Sequence, residues 1–156
     1  MKSDPTTETA HDSFALERTY AASPERVFAA WADPEKKRRW FAQGEGGTVL
    51  SYDADFREGG SERTRFRFGD GAEMRNDTHY HDIVANRRIV MSYSMALGDK
   101  RISVSLATVE LSPSGSGTLL RVTEQAAFFD GADGVERRRQ GWTELLQRAG
   151  ASLERS

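Results

Sequence analysis

The side chains in this sequence whose types and spacing could do chemistry are two charges on apolar strand faces and one triplet of proton- or metal-binding groups. Arg18 shares the two-residue parity of Phe14, Leu16 and Tyr20, and Glu124 shares that of Leu120, Val122, Ala126 and Phe128. Asp77, His79 and His81 occupy alternate positions of one segment, an arrangement that could bind a divalent ion or move protons near neutral pH. An ion would need further ligands from elsewhere, so hydrogen-bonding walls of a pocket are the favoured role for His79 and His81, and neither metal nor cofactor is expected. His79 and Glu124 are the weak catalytic candidates, as acid or base. With no cysteine, no serine-nucleophile motif and no phosphate-binding helix after Gly59 and Gly60, other familiar catalytic arrangements are missing.

Patterning predicts the elements that position these groups. Positions 1–11 read as a disordered polar tail without periodicity, with order beginning near Asp12 in a single domain over 12–156. The first strand carries Phe14, Leu16, Arg18 and Tyr20. Ser23 before Pro24 starts one short helix, and Asp33 before Pro34 starts another through Trp40, whose polar side is Glu35, Lys36, Lys37, Arg38 and Arg39. Strand alternation then places Leu50, Tyr52, Ala54 and Phe56 inward, and Phe66 and Phe68 inward with Arg63, Arg65 and Arg67 outward.

The segment from Glu73 to Val84 has conflicting parities, because Ile83 falls with the histidines while Tyr80 and Val84 fall opposite, and its facing stays open. Ile89, Met91, Tyr93, Met95 and Leu97 alternate cleanly. A switch from Ile102, Val104 and Leu106 to Val109 and Leu111 predicts a bulge that bends its strand. Asp133 and Glu136 have capping-box spacing and open a long helix with the stripe Val135, Trp142, Leu145, Leu146, Ala149 and Leu153, interrupted by Arg138 and Arg139.

Trp142, Leu145 and Leu146, with Phe56, Phe66, Phe68, Met91, Tyr93 and Met95 opposite, suit an adaptable apolar lining, and each also suits ordinary core. A formal net charge of -2 gives no general attraction for nucleic acid. No apolar run is long enough to span a bilayer or act as a signal core, so a cytoplasmic location is expected. The basic run from Lys36 to Arg39 reads as a solvated helix face, or else a docking patch for an acidic partner.

The sequence resembles the helix-grip, START-like or SRPBCC superfamily that includes the birch-pollen allergen, in the branch named for the activator of heat-shock-protein ATPase. The resemblance rests on RTYAASPERVFAAWA at Arg18 to Ala32, DPEKKRRWF at Asp33 to Phe41 and DFREGG at Asp55 to Gly60. It continues in RIVMSY at Arg88 to Tyr93, GTLLRVTE at Gly117 to Glu124 and GWTELLQRAGASLE near the end, and so covers nearly the whole chain after Asp12. It implies an α+β fold in which a curved antiparallel sheet of about seven strands grips the C-terminal helix, with the two short helices between strands 1 and 2.

The resemblance also implies a gap between sheet and helix, and it makes the strands of Arg18 and Glu124 neighbours that could pair. A dry void of ~300 Å³ at ~24 cal/mol per Å³ would cost ~7 kcal/mol, so a lined, partly polar ligand site is expected rather than an empty one. The expected function is binding of a small apolar or aromatic molecule by Arg18, Phe56, Phe66, Phe68, His79, His81, Met91, Tyr93, Met95, Glu124, Trp142, Leu145 and Leu146. A non-enzymatic role is favoured. The alternatives are a cyclase- or hydrolase-type enzyme in the same cavity and a chaperone-associated protein-binding factor. A chaperone and a second copy of the chain are the candidate protein partners.

Overall fold

The computed structural model describes residues 7–41 and 47–154. The first strand, β1, runs Thr9–Tyr20, followed by helices α1 (Pro24–Ala32) and α2 (Pro34–Phe41). Six strands follow: β2 Gly47–Ala54, β3 Ser61–Phe68, β4 Met74–Val84, β5 Arg88–Leu97, β6 Lys100–Ser114 and β7 Gly117–Phe129. Helix α3, Val135–Glu154, closes the chain. All strands join one antiparallel sheet in the order β1-β7-β6-β5-β4-β3-β2, the α+β helix-grip arrangement.

The helix starts follow from their first residues. Ser23 caps α1 by accepting from the Arg26 N–H at 3.3 Å, with Pro24 in the first turn. Asp33 accepts from the Glu35 N–H at 3.0 Å at the start of α2. The start of α3 differs from expectation. Its first backbone bond runs from Arg138 N–H to the Gly134 carbonyl, so Gly134 stands at the cap, and Asp133 accepts instead from the Gly134 N–H and pairs with Arg138.

Order also begins earlier than the expected Asp12, because β1 is paired with β7 from Thr9 opposite Phe129 and the Glu8 N–H donates to Asp130 at 2.8 Å. The expected tail up to Thr6 lies outside the described residues.

Three irregularities explain where strand parity misleads. A bulge between Val49 and Ser51 turns Leu50 outward, so Val49, not Leu50, shares the inward side with Tyr52. A second, between Tyr80 and Asp82, accounts for the conflicting parities of β4: Asn76, Thr78 and Tyr80 face inward before it, and Ile83 packs on the core after it.

The third lies between Met95 and Ala96, opposite Ile102, and displaces the bend expected further along β6. Beyond Ile102 the inward residues are Ser103, Ser105, Ala107, Val109 and Leu111, while Val104 and Leu106 are exposed on the convex face.

The core lies under α3, where Trp31 stacks on Trp142 with ring centroids 6.1 Å apart and meets Trp40 edge-on at 4.9 Å. The Tyr20 hydroxyl donates to the Leu146 carbonyl at 2.8 Å, which ties the end of β1 to the middle of α3. Gly117 is required beside that junction, since a Cβ there would lie 2.1 Å from the Tyr20 carbonyl oxygen. Gly117→Ala should therefore lower stability by about 1–3 kcal/mol, read from urea unfolding at unchanged m-value.

Candidate functional site

Sheet and helix diverge at one end, leaving a cavity of about 780 Å³. Its floor comes from β3 to β6 with Phe66, Met74, Asn76, Thr78, Met91, Tyr93, Met95 and Ile102, and its roof from α3 with Trp142, Leu145 and Arg148. Lys37 and Phe41 of α2 form a side wall. Phe68, 55% exposed, stands with the exposed Arg137 and Glu144 at the mouth. The volume falls in the range that holds a small organic molecule.

Two buried polar clusters flank this space. In the first, Glu124 is 0% exposed and each carboxylate oxygen accepts twice. Its Oε1 takes the Tyr93 hydroxyl and the Trp142 indole N–H (2.7 Å), and Oε2 takes the Ser105 hydroxyl (3.1 Å) and Arg138 Nη1 (3.2 Å). Arg138 also donates to the Tyr93 oxygen at 3.0 Å, to Ser103 at 2.6 Å and to Asp133.

Burial opposes the charge on Arg138, yet Tyr93, Glu124 and Asp133 outweigh it and hold the guanidinium charged. Burial, reinforced by Glu124, pushes the Tyr93 phenol upward against the opposing pull of Arg138. With every site on Glu124 engaged, the cluster orients side chains; it offers no free base to a ligand.

In the second, Lys37 Nζ reaches Glu62 at 2.8 and 3.1 Å and the Tyr80 oxygen at 3.3 Å. Tyr52 and Tyr80 donate to the same carboxylate at 2.9 and 3.0 Å. Lys37 and Glu62 are each 1% exposed, and the ammonium lies 4.4 Å from the Phe41 ring centroid. Burial first and Glu62 second push the Tyr80 phenol upward, and Tyr52 moves the same way against Lys37.

The structure sorts the residues expected at the site. Phe66, Phe68, Met91, Tyr93, Met95, Trp142 and Leu145 line the cavity. Glu124 lies behind Tyr93, and Leu146 belongs to the core. Phe56 packs edge-on against Phe28 and Tyr80 instead.

His79 and His81 are exposed on the convex face, where His81 meets the Ser92 hydroxyl at 2.8 Å, because the inward parity of β4 belongs to Asn76, Thr78 and Tyr80. They are not walls of this cavity. Among the described residues no three His, Cys, Asp or Glu side chains could hold a metal ion. Arg18 does not meet Glu124: their strands are neighbours, but Arg18 stands opposite Leu120 while Glu124 stands opposite Phe14.

Lys37, placed on the solvated side of α2 by its sequence, is buried, and so the basic run is broken into Lys36, Arg38 and Arg39. Sequence reasoning also missed Glu62, Asn76, Thr78 and Asp133. A signal existed for Glu62, which has the parity of Phe66 and Phe68, and for Arg138, whose interruption of the helix stripe marks it as the partner Glu124 requires.

A model of the activator of Hsp90 ATPase homolog 1-like proteins matches residues 21–154. The chain belongs to this family. Its members commonly bind hydrophobic ligands. No curated protein matches the chain. Among solved structures, an uncharacterized protein from Rhizobium leguminosarum is 41% identical at TM-score 0.92, covering 96% of this chain and 99% of that one. A protein from Rhizobium loti is 48% identical at TM-score 0.86, over 93% and 99% of the two chains. One from Chromobacterium violaceum is 27% identical at TM-score 0.74, over 91% and 96%. Among the described residues no helix is long and apolar enough to cross a membrane.

Two outcomes test the clusters. Lys37→Met strands Glu62 in the core and should lower stability by about 3–5 kcal/mol, while adding Glu62→Leu should recover part of the loss in urea unfolding. All four tyrosines are shifted up, Tyr20 to about 12 through burial against the pull of Arg18. A raised folded-state value means the unfolded chain loses its phenol protons first. Stability should hold below about pH 10 and fall above it, with no native tyrosinate absorbance near that pH until unfolding begins.

Proposed function

We propose that this protein binds a small, largely apolar molecule, with an aromatic or otherwise flat body, in the cavity between β3 to β6 and α3. The observation that carries this reading is the cavity itself: about 780 Å³, walled by Met74, Met91, Met95, Phe66, Leu145 and Trp142. Thioethers and aromatic rings adapt to varied apolar shapes, and binding would remove them from water. Membership of a family that commonly binds hydrophobic ligands supports the same reading.

The placement of the titratable groups favours carriage over catalysis. Glu124 is saturated by four donors, and His79 stands on the opposite face of the sheet. At about ten times its Kd, 2-ethylnaphthalene should raise the melting temperature by about 3–6 °C and perturb Trp142 fluorescence. Leu145→Trp, which fills the cavity, should abolish both effects and still unfold cooperatively. Absence of stabilisation in the unaltered protein would refute the reading.

A further inference from the structure

The floor of the cavity holds one polar side chain that the fold leaves unfinished. Asn76 is 8% exposed and lies on the concave face of β4, across the ladder from Met95 on one side and Thr64 on the other. The Thr78 hydroxyl donates to its Oδ1 at 2.8 Å, which turns the amide nitrogen away from Thr78. That nitrogen, with its two N–H donors, has no hydrogen-bond partner among the described residues, and Asn76 lines the cavity.

A second unsatisfied atom lies on the neighbouring strand, outside the cavity lining. Thr64, 1% exposed and directly opposite Asn76, has a buried hydroxyl oxygen with no partner among the described residues. Buried polar groups are nearly always paired; the Thr64 hydroxyl is sealed in the sheet, but the Asn76 amide borders the cavity, so a group from outside the chain can reach and complete it.

We infer that Asn76 is the polar anchor of the cavity and that its amide N–H groups bind a neutral carbonyl-type oxygen on an otherwise apolar ligand. The inference rests on the proposed cavity binding and specifies its ligand class. The charge of the floor selects the neutral oxygen over a carboxylate. The buried cations Lys37 and Arg138 are committed to Glu62 and to Glu124 and Asp133. The remaining cations of the lining, Arg148 and the exposed Arg137, belong to the helix roof and mouth rather than to the floor, so a carboxylate held by Asn76 would have no floor cation as its counter-ion. A pure hydrocarbon would fit the volume but would seal the Asn76 donors from water without replacing the lost hydrogen bonds.

The test compares 2-acetylnaphthalene with 2-ethylnaphthalene, which differ mainly in the carbonyl, by calorimetry on the unaltered protein and on Asn76→Leu. The ketone should bind about tenfold more tightly to the unaltered protein, and that preference should vanish in Asn76→Leu while 2-ethylnaphthalene still binds. Equal affinities in the unaltered protein, or a preference that survives Asn76→Leu, would overturn the anchor and leave the cavity reading standing. Failure of both probes to bind would overturn the cavity reading and the anchor with it. Should Asn76→Leu not fold, the infrared carbonyl stretch of 2-acetylnaphthalene bound to the unaltered protein decides: a shift to lower frequency than in cyclohexane supports the anchor, and an unshifted band overturns it.

Discussion

Glu124 has no access to solvent, and a carboxylate so placed must be met by donors from every part of the chain packed around it. Those donors come from three elements: Tyr93 on β5, Ser105 on β6, and Arg138 with Trp142 on α3. The requirement explains why the inward side of β6 begins Ser103, Ser105, Ala107 rather than with its larger neighbours Val104 and Leu106. Small side chains leave room for a guanidinium, and hydroxyls satisfy it. The cluster thereby fixes where α3 lies on the sheet and which of its faces looks down.

Lys37 and Glu62 apply the same logic to the other end of the concave surface, joining α2 to β3 with two tyrosines as further donors. Between the two clusters the interior is apolar except for Thr64, Asn76 and Thr78, and α3 is held by the clusters and by the Tyr20 contact with Leu146. The cavity is the space these fixed points enclose but do not fill. Its walls rest on groups whose hydrogen bonds are already complete, apart from Asn76 and Thr64.

Much of this was legible in the sequence. The order of elements, the caps of α1 and α2, the alternation of β5 and β7 and the main stripe of α3 all follow from period and turn chemistry. What was hidden depended on single extra residues. One bulge at His81 makes β4 unreadable, since parity reverses halfway, while the regular alternation before it already sets His79 on the convex side, opposite to Thr78 and Tyr80. Another at Ile102 moves the inward parity of β6 onto serines, which a hydrophobicity pattern cannot detect.

The buried ion partners were half visible. Glu124 announced itself by standing among Leu120, Val122 and Phe128, but Arg18 looked like its partner because both charges broke apolar runs, and only register separates them. Arg138 broke the stripe of α3 at the position from which Glu124 could be reached. Lys37 shares a helix face with Trp40 and Phe41, three and four residues on, and its basic neighbours disguised this.

The bulge at Leu50 has a bearing on the protein's behaviour in company. β2 closes one side of the sheet order, with an outer row of backbone groups that another chain's strand could extend. The strand is short, its ladder is broken at Leu50, and Asp53 projects into solvent further along. Irregular twist and charge on so short a border make a poor template for strand addition, so the device that curves the sheet also guards against sheet-to-sheet aggregation.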